Sequence, residues 1–196
     1  MRLHHRRRVQ RGIALITSML LLLIVTILAL SMFRNTGTQE KIANNLREKD
    51  RALHAAESAE QYAEWWLLQN GNTADIEVTC EAGAPIDANL NVAQGQICNS
   101  TSTLTLLGIN PTNVPWPVQY IQFLPPGMSV SGVGTNGDPP YAGTPSFYIA
   151  DLGTAADGVS KTYQIDAFAY GATTGTVAVV ESIYEVKPGV GNPMNP

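Results

Sequence analysis

The chain has 196 residues, a net charge of −4 and a sequence pI near 5.3, which fits one apolar anchor plus one domain of ordinary size. Ten acidic groups against Lys161 and Lys187 leave residues 71–196 near −8, a balance that excludes phosphate neutralisation and direct nucleic-acid binding by this part. His54 is the one histidine beyond the first twelve residues, which excludes most hydrolase and zinc-site constellations; no enzyme activity, cofactor or metal is expected.

Residues 1–12 form a basic leader that ends in Gly12. Five of the 12 basic residues lie in it: Arg2, Arg6, Arg7, Arg8 and Arg11. The 21 residues from Ile13 to Phe33 follow without a single charge. At about 1.5 Å per residue they make a helix of roughly 32 Å, enough to cross a hydrocarbon core of about 30 Å. The positive flank leaves the N-terminus in the cytoplasm and the rest of the chain across the membrane. Two plainer readings stand beside a retained, processed anchor. One is a secretory signal cut near Ala29-Leu-Ser31, and the other is an unprocessed single-pass anchor.

Residues 34–70 continue as an amphipathic helix. Ile42, Leu46, Leu53, Ala56, Ala59, Ala63 and Leu67 recur mostly at spacings of three, four and seven and define one apolar face. No proline interrupts Ile13–Gln69, and Asn70-Gly71-Asn72 is a stop signal. Gly37 lowers helix propensity by about 1 kcal/mol relative to alanine, so a kink or local melting is expected there. At least one of Trp65 and Trp66 should pack at the junction of helix and sheet. Glu57 reads either as a partner contact or as part of a solvated face.

Residues 71–186 form the head. Cys80 and Cys98 fall on the translocated side, where an oxidising compartment favours a disulfide over two free thiols. The Asp87-x-Asn89-x-Asn91 spacing matches the start of a calcium loop. Val92 and Cys98 stand where that loop needs Gly and Glu, so it reads as a solvated turn. Strands are expected at Thr103–Leu107, Val118–Leu124, Phe147–Leu152, Thr162–Tyr170 and Thr176–Val186. The last two should form an antiparallel hairpin across Gly171–Gly175. The 21-residue, Gly- and Pro-rich segment Pro125–Pro145 reads as a mobile or partner-binding loop. Residues 187–196 read as a flexible tail. The fold class is α+β, with a long N-terminal helix packed on an antiparallel sheet of about four strands.

The leader ending in Gly12, followed by Ile13-Ala-Leu-Ile-Thr-Ser-Met-Leu-Leu-Leu-Leu-Ile-Val25, resembles the N-terminus of type IV prepilins and pseudopilins. Asn45-Leu-Arg-Glu-Lys-Asp-Arg51 with Ala52-Leu-His-Ala-Ala-Glu-Ser-Ala59 resembles the PilX-type minor pilins, in which an Asn-Asp-Arg stretch precedes Ala-Ala-Glu-x-Ala. Pro145–Asp151, Thr162–Ala167, Val177–Tyr184 and Trp116 resemble the strands of that family and the tryptophan before its sheet. The K-type minor pseudopilin of type II secretion, like the PilX-type minor pilins, resembles this sequence in lacking an acid at the fifth mature residue, but it usually carries a large extra domain for which this chain has no room.

The resemblance implies that prepilin peptidase cuts between Gly12 and Ile13 and that Ile13 becomes an N-methylated N-terminus. It implies an inner-membrane subunit with a periplasmic head, later carried in a pilus at the cell surface. The implied partners are other minor pilins, the major pilin and the assembly platform. Major pilins place a glutamate at the fifth mature residue; here that residue is Thr17. The resemblance therefore implies a subunit that helps start the pilus at low copy, with Thr17 and Glu57 as assembly-relevant positions.

Overall fold

The computed structural model describes residues 13–69, 77–80, 85–87, 97–132, 134, 137 and 139–187. The leader with Gly12, the Asn70–Asn72 stop, Asn89 and Asn91 of the acidic loop, and tail residues 188–196 lie outside the described residues. The chain divides into two compact units, Met1–Leu46 and Arg47–Pro196. Helix α1 (Ile13–Leu67) begins in the first and ends in the second.

In the first unit the helix carries large apolar side chains such as Leu21, Leu22 and Leu28, all more than half exposed. Its most apolar window has a mean hydropathy of 2.9 and is long enough to cross a membrane. Its hydroxyls bond back to the helix: Ser18 Oγ donates to Leu15 O at 2.9 Å and Thr26 Oγ1 to Leu23 O at 2.8 Å. A polar group that spends its proton on its own backbone can enter lipid at little penalty. The local melting expected at Gly37 does not occur, because α1 runs through it. One glycine lowers propensity by about 1 kcal/mol, too little to stop a helix already propagating from both sides.

The second unit is built around one sheet. Its strands are β1 (Glu77–Val78), β2 (Ile86–Asp87), β3 (Ile97–Cys98), β4 (Ile121–Gln122), β5 (Ser146–Thr154), β6 (Lys161–Tyr170) and β7 (Val177–Val186). The antiparallel run β5–β6–β7 is its body. The other edge of β5 is shared: β4 pairs antiparallel at Ser146 and Phe147, and β3 pairs parallel at Ile149 and Ala150. Outside these, β2 lies parallel to β4 and β1 parallel to β3. The sheet is therefore mixed and larger than the four antiparallel strands expected, the additions being two-residue pairings. At the end of β5, Gly153 (φ +97°) makes a bulge and donates its N–H to Asp151 Oδ1 at 2.6 Å.

Two expected strands change. Thr103–Leu107 is a helical turn, in which Leu107 N bonds Thr103 O at 3.0 Å and Thr103 Oγ1 accepts the Leu106 N–H at 3.2 Å. A threonine that caps a turn offers the backbone a partner in place of a ladder. Val118–Leu124 shrinks to Ile121–Gln122, hemmed by Pro115 and Pro117 before it and Pro125 and Pro126 after it.

Both faces of the sheet are covered. On one, Ala59, Ala63, Trp66 and Leu67 of α1 pack against Ile149, Tyr163, Ile165 and Ala167, with Tyr62 stacked on Phe123 at 3.9 Å. The buried stripe is Ala52, Ala55, Ala56, Ala59, Ala63, Trp66 and Leu67. Leu53, assigned to it from spacing, is 38% exposed, and Ile42 and Leu46 are exposed as well. Alanines let the helix backbone lie close to the sheet, so the stripe falls where the side chains are small. Trp66 is the packed tryptophan, whereas Trp65 is 45% exposed. The last turn tightens: Leu68 N bonds Trp65 O, and the Gln69 side-chain amide donates to that same carbonyl at 2.9 Å. On the other face, Cys80, Cys98, Leu104, Trp116 and Tyr148 close over Phe168.

Candidate functional site: the N-terminal helix and its clamp in the head

The expected assembly residues lie on α1. Thr17 Oγ1 lies 3.1 Å from both Ile13 O and Ala14 O, so its proton is held by its own helix. Its hydroxyl carries no charge. Glu57 is half-buried, and its Oε2 lies 3.1 Å from Nδ1 of the exposed His54 one turn earlier. Such an exposed pair contributes little to stability, about 0–1 kcal/mol. Thr17 belongs to the first unit and Glu57 to the second. The structure joins Cys80 and Cys98 in a disulfide with a Cα–Cα distance of 5.3 Å. Among the described residues no group of His, Cys, Asp or Glu could hold a metal ion.

A second cluster was not foreseen. Glu48 and Arg51, one turn apart on α1, form an ion pair at 2.9 Å. Arg51 Nη2 also donates to Pro139 O at 2.6 Å, and its guanidinium carbon sits 4.4 Å from the centre of the Tyr141 ring. Glu48 Oε2 accepts the Ala172 N–H at 2.8 Å. The helix thus holds the β6–β7 turn with one side chain and the 125–145 segment with the other. Burial raises the Glu48 carboxyl, but the Ala172 N–H and Arg51 outweigh it and hold it below its usual value. Burial likewise lowers Arg51, and Glu48 more than offsets it, so Arg51 stays above its usual value.

Gly171 makes the close approach possible, since a Cβ there would lie 3.0 Å from Glu48 O and 3.1 Å from its carboxylate. The described part of the 125–145 segment is fastened rather than loose. Tyr141 N bonds Ser129 O, Ala142 N bonds Gly171 O, and Met128 and Tyr141 pack on Ala55 and Ala56. Tyr141 and the carbonyl of Pro139 supply contacts that composition does not show.

Arg51→Ala should destabilise the head by about 1–3 kcal/mol, the range for losing hydrogen bonds to charged groups. Arg51→Lys should recover only part of that, because an ammonium lacks the second arm and the flat face. Glu48 adds a pH dependence of known sign. With its folded value lowered, its contribution is present above the ordinary carboxylate range and lost as pH falls through the lowered value. Thermal denaturation of the full chain in detergent, with hydrogen exchange at the Ala172 amide, measures both. An unchanged melting temperature in Arg51→Ala would contradict the clamp.

Residues 11–59, about a quarter of the chain, match the family model described as PilX N-terminal. No curated protein and no solved structure gives a significant match. The matched segment ends at Ala59, before the strands of the head. It contains the apolar stretch, Thr17, Glu48 and Arg51 of the clamp, and Glu57. Over this segment the chain is similar to the PilX-type minor pilins of type IV pili.

Proposed function

We propose that this protein is a minor pilin that helps prime assembly of a type IV pilus and is carried at low copy at its tip. The leader is cut after Gly12 by prepilin peptidase on the cytoplasmic side, and Ile13 becomes the N-methylated terminus. Before assembly the subunit sits in the inner membrane with its head in the periplasm. There it meets other minor pilins, the major pilin and the assembly platform. Afterwards it is exposed at the cell surface.

The supporting observation is Thr17. A protonated amine buried in an apolar filament is unfavourable by several kcal/mol unless it is paired. A glutamate at the fifth mature position of an incoming subunit can pair with the amine of one already in place. Thr17 offers no charge, and its hydroxyl proton is already taken by Ile13 and Ala14 carbonyls. The first subunit laid down has no earlier amine to neutralise, so that position tolerates the lack.

Gly12→Phe should leave a full-length chain that is excluded from sheared pili. A normal mature mass in that variant would contradict the cut. Mass spectrometry of the wild type should find Ile13 carrying a methyl group; an intact leader would indicate an unprocessed membrane protein instead. Immunogold labelling of sheared pili tests the placement. Label confined to ends is expected, and label spread evenly along shafts would overturn the tip assignment.

A further inference from the structure

Strand β7 pairs with β6 alone among the described residues. Among the described residues its other edge is open over Val177–Val186. The hairpin closes with Gly171 N donating to Thr176 O. Counting from that bonded pair, the alternation of an antiparallel ladder turns the N–H and C=O groups of Val179, Glu181, Ile183 and Glu185 outward. The side chains of these residues also share one face, the face that carries Phe168 and Tyr148. Glu181 and Glu185 are exposed, and Ile183 between them is 66% exposed. The free edge therefore presents backbone donors and acceptors together with an acid–apolar–acid row.

From this geometry we infer that β7 takes up a strand from a different protein. That strand carries cationic side chains at two positions four residues apart, with an apolar residue midway between them. Cross-strand neighbours lie about 5 Å apart, so each cation faces one glutamate and the apolar residue covers Ile183. The pattern is the same read in either direction, so parallel and antiparallel partners both fit.

A second copy of this chain does not. β7 contains no cation, and pairing two β7 strands about Ile183 sets Glu181 of each against Glu185 of the other. Glutamates on an edge strand block self-pairing in this way, and the same charges select a basic partner. The start of the edge offers a further foothold. A groove of about 340 Å³ lies between Lys49, Asp50 and Leu53 of α1 and Val177–Val179 of β7, ready for a side chain of the incoming strand. The proposal concerns the head alone and holds wherever in the pilus the subunit sits.

The test uses the full chain in uncharged detergent with three synthetic peptides as probes. The first is Thr-Lys-Thr-Val-Thr-Lys-Thr. The second has glutamate in place of both lysines, and the third has the two lysines on opposite faces. The first peptide should bind at least about tenfold more tightly than the other two and weaken as salt rises, as screened contacts do. Bound, it should slow hydrogen exchange at Val179, Glu181, Ile183 and Glu185. Glu181→Lys with Glu185→Lys should reverse the preference between the lysine and glutamate peptides. Equal binding of the three peptides would overturn the inference, as would no binding up to millimolar concentration or protection that maps elsewhere. Sedimentation showing a homodimer abolished by Ile183→Lys would overturn the choice of a foreign partner.

Discussion

Breaking the Cys80–Cys98 bond is expected to destabilise the head by about 2–4 kcal/mol. The bond spans a sequence separation of 18 residues, and closing a loop of that size restricts the unfolded chain by about 3 kcal/mol. The native side supplies a second reason. Cys80 and Cys98 are 4% and 1% exposed and pack with Leu104, Trp116 and Tyr148 over Phe168. The strands they hold are two-residue pairings: β1 to β3 through Glu77 and Val78, and β3 to β5 through Ile97 and Cys98. Pairings so short do not persist by their own hydrogen bonds.

The loss should be local. In a Cys80→Ala/Cys98→Ala variant, hydrogen exchange should accelerate at Ile97, at the substituted position 98, and at Asn99, whose N–H bonds Val78 O at 2.9 Å. The amides of β6, held between β5 and β7 in the body of the sheet, should stay protected. Denaturation with and without a reductant measures the size. A wild-type midpoint that does not move on reduction would refute the expectation.

The parts that could be read from sequence are those whose stabilising pattern is local. An uncharged run with a basic flank needs no tertiary knowledge to be seen as a spanning helix, and α1 covers the whole of that run. β6 and β7 announce themselves by alternation and by the turn between them. β1, β2 and β3 could not be seen, because each is two residues long and lies parallel to a partner far along the chain. The Glu48–Arg51 clamp was hidden for the same reason, since its contacts cross 88 and 124 residues of sequence. One signal could have located the contact face of the helix. Alanine recurs at 52, 55, 56, 59 and 63, and this row of small residues marks the close approach better than the larger Ile42, Leu46 and Leu53 did.

Replacing Asp166 with asparagine is expected to stabilise the head at pH 8 and to leave it nearly unchanged at pH 4. Asp166 is completely buried on β6. In the sheet it stands between Tyr148 of β5 and Glu181 of β7. On its own strand Gln164 Nε2 donates to its Oδ2 at 3.1 Å, and among the described residues its Oδ1 has no hydrogen-bond partner at bonding distance. Burial, and then the negative charge of Glu181, push its carboxyl up to about 7, against the smaller opposing effect of Gln164.

The sign follows from linkage. Below the ordinary carboxylate range, both folded and unfolded chains hold the proton. Between about 4 and 7 the unfolded chain has lost it while the folded chain keeps it, so stability falls as pH rises; above about 7 the loss is complete. Each tenfold displacement of the proton equilibrium is about 1.4 kcal/mol. The unfavourable contribution of ionised Asp166 is therefore on the order of 4 kcal/mol. The dependence of Glu48 has the opposite sign and belongs to a more acidic window, so the two separate on one profile.

Asparagine keeps the shape, cannot ionise and can donate toward Glu181. The advantage of Asp166→Asn over the wild type should thus grow from near zero at pH 4 to several kcal/mol at pH 8. Glu181→Gln should recover a smaller share, since it removes the opposing charge but not the burial. Urea denaturation of the three proteins across that range measures it. A constant difference between Asp166→Asn and wild type from pH 4 to pH 8 would show that Asp166 does not take up a proton on folding.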